Sequence, residues 1–195
     1  MNFFINVVTR YLLVEDIIDE EEQDLYRFGL ETLIRRSIYF LLAFYIAYKM
    51  NMLFEAIFFF VIFRPLRTYA GGLHLEKYSS CLIFSSLSYF SILLTVKYID
   101  FNMKISCVFS LFLILAIYIL YPVENINRKV DVEENVFFKK KLILYLIVDI
   151  FTIMVLFFLR QDKFLFLFFL TLMLVVITMI LGKIKYRRDI RNLSI

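Results

Sequence analysis

Phe164-Leu165-Phe166-Leu167-Phe168-Phe169-Leu170-Thr171-Leu172-Met173-Leu174-Val175-Val176-Ile177-Thr178-Met179-Ile180-Leu181-Gly182 is a run of 19 residues without a charge. A helix rises about 1.5 Å per residue, so such a run is long enough to cross a hydrocarbon core roughly 30 Å thick. Hydrocarbon offers the backbone no hydrogen-bond partners, and a helix supplies them from within the segment. Tyr78–Val96 and Ile105–Val123 are two more uncharged runs of 19 residues, and Leu142–Leu159 is a fourth span broken only by Asp149. Arg36 and Arg64 enclose 27 residues interrupted by Lys49 and Glu55, too long for one ordinary span. That stretch predicts a hairpin of two helices turning near Lys49-Met50-Asn51, the second borrowing residues beyond Arg64 to reach full length. Composition agrees: 62% of the 195 residues are hydrophobic and mean hydropathy is +0.80, well above a soluble domain. The fold class is therefore an all-α integral membrane protein with about six spans.

Lysine and arginine give the orientation. With a cytoplasmic N-terminus, the inner segments hold Arg10, Arg27, Arg35 and Arg36; Arg64, Arg67 and Lys77; Arg128, Lys129 and Lys139–Lys141; and Lys183, Lys185, Arg187, Arg188 and Arg191. These are 17 of the 22 basic residues. The outer turns keep Lys49, Lys97, Lys104, Arg160 and Lys163. The bias predicts both termini on the cytoplasmic side, and the polar segment around residues 64–81 with them.

The chain divides into a cytoplasmic or interfacial amphipathic region (1–32), a six-span membrane domain (33–182) broken near 64–81, and a basic cytoplasmic tail (183–195). Phe4, Val8, Tyr11, Leu12 and Ile18 fall at helical spacing, predicting an N-terminal amphipathic helix. No short apolar core ending in a small-residue cleavage site precedes it, so a cleaved secretory signal is not expected. Glu15–Asp24 carries seven acids and no base, the pattern of a solvated face or turn.

Several chemistries are disfavoured. One histidine and two cysteines cannot supply an ordinary zinc set, and no cofactor or metal is expected. Glycine-rich phosphate loops and the aromatic-basic interleaving of nucleic-acid binders are missing. Cys107 sits in an apolar span and reads as a small core filler, while Cys81 falls on the reducing side, so a disulfide is not expected.

The polar cluster is Arg64-Pro65-Leu66-Arg67-Thr68-Tyr69-Ala70-Gly71-Gly72-Leu73-His74-Leu75-Glu76-Lys77-Tyr78-Ser79-Ser80-Cys81. Arg64 has the position of a side chain that snorkels to headgroups. Arg67 shares its short segment with the only histidine and a cysteine. Gly71-Gly72 would end a helix or admit a peptide backbone at close range. On one continuous helix His74 and Cys81 would be separated by about 10.5 Å of rise, whereas a base must come within roughly 3 Å of its nucleophile. The chain must therefore bend between them for the pair to act as a dyad.

With Arg67, Gly72, His74 and Cys81 in the order Arg-x4-Gly-x-His-x6-Cys, the sequence resembles the AgrB family, integral-membrane cysteine endopeptidases of Gram-positive peptide quorum sensing. The likeness extends to chain size, the polar N-terminus, about six spans, and the Pro-containing basic loop Tyr121-Pro122-Val123-Glu124-Asn125-Ile126-Asn127-Arg128. Gly71 and Leu73 beside the motif and Asp149 inside a span depart from the family pattern, and remove no residue the chemistry needs.

The resemblance implies a small precursor peptide with an acidic C-terminal tail as substrate, removal of that tail, and closure of the signal into a thiolactone ring. Cys81 would be the nucleophile and His74 the general base and acid, giving an acyl-enzyme thioester. Arg67 would hold a substrate carboxylate or carbonyl. Asp149 would orient His74 or, the favoured alternative, pair with Arg67 as structural glue; Glu76 is close to His74 in sequence but is expected to face water. The competing class is a non-enzymatic membrane peptide exporter or regulatory partner, with Glu55 and Asp149 lining a path. A homodimer is the default assembly and nucleic acid is not an expected partner.

Overall fold

The computed structural model describes residues 2–73, 78–123 and 132–193. Among them the chain is all helical, with seven α-helices and no strand: α1 (Asn2–Val14), α2 (Gln23–Met50), α3 (Leu53–Ala70), α4 (Tyr78–Tyr98), α5 (Met103–Leu120), α6 (Val132–Phe158) and α7 (Asp162–Leu193). A single 3-10 turn, Glu20–Glu22, precedes α2. The chain falls into two compact units, Met1–Ile46 and Ala47–Ile195.

In the first unit α1 buries Ile5 and Thr9 and leaves Phe4, Val7, Tyr11 and Val14 exposed. The acidic stretch that follows contains a turn at Asp16 (φ 52°) and the 3-10 turn, and its residues Glu20–Glu22 are solvated.

In the second unit the helix pair turns where the sequence predicts. α2 ends at Met50 and Asn51 takes φ 55°, a left-handed conformation that asparagine tolerates better than most side chains. Three contacts hold the turns at this end together. The Lys97 ammonium donates to the Met50 carbonyl at 3.1 Å, Lys163 pairs with Glu55, and Phe101 stacks on Phe166 with centroids 5.0 Å apart. Asn102 caps α5, its side chain accepting from the Lys104 amide at 2.9 Å.

α7 is the axis of the unit, packing on α3, α4, α5 and α6. Leu165, Phe168, Leu172, Val175 and Met179, at three- and four-residue spacing, form its share of the core. α3 contributes Ile62, Leu66 and Ala70. Among the described residues four helices are long and apolar enough to cross a membrane: Ser79–Tyr98, Met103–Leu120, Glu133–Phe158 and Asp162–Arg191. α2 and α3 stand where the first two of the six expected spans belong, but α3 carries Glu55, Arg64 and Arg67 in 18 residues. Gly182 lies inside α7, which continues through the basic segment to Leu193.

Candidate active site where two helix breaks meet alpha7

Within the segment 64–81, α3 gives way to non-helical backbone at Gly71–Leu73, and residues 74–77 lie outside the described residues. α3 runs through Arg64 and accommodates Pro65, then stops at Ala70. Gly71 has φ 80° and Gly72 φ 144°, conformations that side chains with a Cβ rarely adopt. Space enforces the same choice. A Cβ on Gly71 would come 2.7 Å from the Val123 carbonyl oxygen. One on Gly72 would collide with Nη1 of Arg67.

Arg67 is in the last turn of α3, and its Nη2 donates to the Leu73 carbonyl. Its guanidinium thereby closes over the chain's exit from the helix. Nη1 is buried and has no hydrogen-bond partner among the described residues. Cys81, half-buried in the first turn of α4, lies within electrostatic range of the Arg67 guanidinium. The structure thus brings together Arg67, Gly71, Gly72 and Cys81. His74 and Glu76 lie outside the described residues.

Among the described residues no salt bridge or hydrogen bond joins Arg67 to Asp149; Nη2 of Arg67 donates to the Leu73 carbonyl instead. Tyr69 stacks on Tyr145 at 5.4 Å, so the end of α3 meets α6 one turn before Asp149. Asp149 is 6% exposed, and its Oδ2 has no partner among the described residues. Cys107 packs against the apolar core, as a small filler does.

Residues that the sequence did not single out complete the site. The Leu73 amide donates to the Thr178 carbonyl of α7 at 2.8 Å. A Cβ on Gly182, one turn further along α7, would fall 2.7 Å from the Gly72 carbonyl carbon, 2.9 Å from the Leu73 nitrogen and 2.9 Å from Cγ1 of Val123. The segment after α3 and the segment after α5 therefore meet on a bare patch of α7. A usable signal existed: the chain has four glycines, and one of them interrupts its longest apolar helix.

The sequence matches the model of the family described as Accessory gene regulator B (AgrB) over residues 5–179. The chain belongs to the AgrB family. That membership connects it with the accessory gene regulator system of peptide quorum sensing, in which the AgrB family is a peptide-processing component. No curated protein and no solved structure matches the chain. In this AgrB family member the matched region takes in both helix breaks and reaches Thr178 on α7.

Proposed function

We propose that the chain is a membrane-embedded cysteine endopeptidase that removes the acidic C-terminal tail of a small precursor peptide and leaves the signal segment as a thioester able to cyclise. The observation that carries this reading is the meeting of Arg67, Gly72 and Cys81 at one helix break in an AgrB family member. His74 takes the Cys81 proton, and the thiolate attacks the scissile carbonyl. Collapse of the adduct releases the tail as an amine protonated by His74, and the signal segment remains as an acyl thioester on Cys81. A thiol within that segment then displaces Cys81, closing a thiolactone and returning the enzyme thiol. The buried Nη1 of Arg67 is free to donate to the substrate carbonyl oxygen as negative charge develops on it.

The arrangement proposed for the membrane follows from charge. All six helices α2–α7 cross the cell membrane, both termini are cytoplasmic, α1 lies at the interface, and the Arg67–Cys81 end opens to the cytoplasm. The basic residues after α5 and in the second half of α7 attract an acidic tail, an effect that weakens with salt. The exporter alternative loses part of its support, because Glu55, one of its two intramembrane acids, is neutralised by Lys163.

The test is cleavage of a matching precursor peptide by purified protein in liposomes. Cys81→Ala and His74→Ala should abolish cleavage and Cys107→Ala should preserve it, with a thioester adduct detectable by mass on the wild-type enzyme. Cleavage that survives Cys81→Ala would overturn the cysteine mechanism.

A further inference from the structure

From this geometry we infer that Gly182 and the Thr178 carbonyl of α7 form a docking groove that positions the Gly72–Leu73 backbone, the segment leading into His74, making Gly182 a positioning residue for the proposed active site. The inference rests on the proposed peptidase reading and extends it to a helix that carries none of the proposed catalytic groups.

Gly72 and Leu73 immediately precede His74, so whatever fixes them fixes the start of the histidine's backbone. Two anchors act on Leu73 from opposite sides. Its amide donates to the Thr178 carbonyl at 2.8 Å, and its carbonyl accepts from Arg67. The Thr178 carbonyl is available because the threonine hydroxyl bonds back to Val175 instead, at 2.8 Å. Gly182 then lets the backbone lie against the helix. The atoms that a Cβ there would strike include the Gly72 carbonyl carbon and the Leu73 nitrogen, which cannot swing aside as a flexible side-chain tip can. Relief requires the segment to lift off α7. Lifting it stretches the Leu73–Thr178 bond and pulls on Arg67, which holds the Leu73 carbonyl. Val123 touches the same groove, so the segment leading into the basic loop after α5 shares the seat. The sequence consequence is specific: one methyl group, on a helix remote in sequence from the proposed catalytic residues, should misalign the dyad.

The experiment uses full-length protein in liposomes, in a Cys107→Ala background so that Cys81 is the one thiol. Gly182→Ala is compared with the parent and with Gly29→Ala, a control because nothing lies within 4 Å of a Cβ built on Gly29. The readouts are peptide cleavage, resolved into kcat and KM, and hydrogen exchange of the Leu73 amide. An ångström of misplacement costs on the order of 100-fold, so Gly182→Ala should lower kcat by about that factor with KM changed by less than about threefold. Its Leu73 amide should lose protection, because relief of the Cβ clash breaks the bond to the Thr178 carbonyl. Gly29→Ala should match the parent in both. A Gly182→Ala protein with parental kcat and Leu73 protection would overturn the inference. Should no precursor peptide be cleaved by the parent, the peptidase reading fails, while Leu73 exchange still decides the positioning role. Should Gly182→Ala not fold, hydrogen exchange in the parent decides: a Leu73 amide protected like those of the α7 interior supports the groove, and one that exchanges freely refutes it.

Discussion

Under the proposed mechanism Arg67 does two jobs with one planar group, which lysine could not. Nη2 is committed to the Leu73 carbonyl, leaving Nη1 buried and without a partner among the described residues. A lysine ammonium is a point charge without that fixed fork. Arg67→Lys is therefore expected to lower kcat for precursor cleavage by at least about 10-fold, roughly the loss of one charge-assisted hydrogen bond, while the protein stays folded. Gly72→Ala acts on the same contact, because its Cβ would displace Nη1. The two losses should overlap rather than multiply. A double-mutant cycle of Gly72→Ala with Arg67→Ala should give a coupling of about 1–3 kcal/mol in transition-state free energy, and strict additivity would separate the residues. Arg67, Gly72 and Cys81 were legible in the sequence because polar or Cβ-less residues are conspicuous in hydrocarbon. The fate of the guanidinium was not: pattern does not reveal that it folds back on its own helix end instead of reaching Asp149.

Between elements, the unit from Ala47 onward is tied at both ends by polar contacts outside the apolar core. Glu55 at the start of α3 is 7% exposed and pairs with Lys163 at the start of α7, whose side chain is half exposed. Removing the base strands a buried carboxylate, whereas Glu55→Gln leaves a neutral group. Lys163→Met should cost about 1–3 kcal/mol in thermal or denaturant unfolding and Glu55→Gln less than half of that; the reverse order would refute the pairing's role. At the other end, the Tyr121 hydroxyl donates to the Asn135 side-chain oxygen at 2.5 Å, joining the exit of α5 to α6. Tyr121→Phe should cost about 1 kcal/mol in the same measurement. The helices themselves were readable from uncharged runs, and the α2–α3 turn from Lys49 and Asn51. The seat on α7 was not readable, since Gly182 closes a span in the sequence and only packing shows what lies against it.

Across the molecule, the ends of the helices separate by charge in a way that makes orientation measurable. Asn51, Asp100 and Gln161 lie at turns of one end, drawn together by the Lys97–Met50 and Lys163–Glu55 contacts. The end holding Gly71–Leu73 and Val123 leads into chain segments rich in lysine and arginine. The orientation proposed from positive-inside bias has the first end outside and the second in the cytoplasm. The expected result is that single cysteines replacing Asn51, Asp100 or Gln161, in a Cys81→Ser, Cys107→Ala background, react with an impermeant maleimide on intact cells. A cysteine replacing Arg191 should react only after permeabilisation. Labelling at position 51 is the informative case, because α2 and α3, though long enough, are not among the four helices apolar enough to mark as spans. If Asn51→Cys is protected until permeabilisation while Asp100→Cys is not, the α2–α3 hairpin does not cross, and α4–α7 alone span the bilayer. A four-span arrangement would still leave Cys81 at the cytoplasmic entrance of α4, where a peptide made inside the cell can reach it, so the site chemistry survives either outcome. The crossing of α3 decides something narrower: whether Arg67 is drawn from a span that ends beside Cys81 or from a helix lying against the membrane surface.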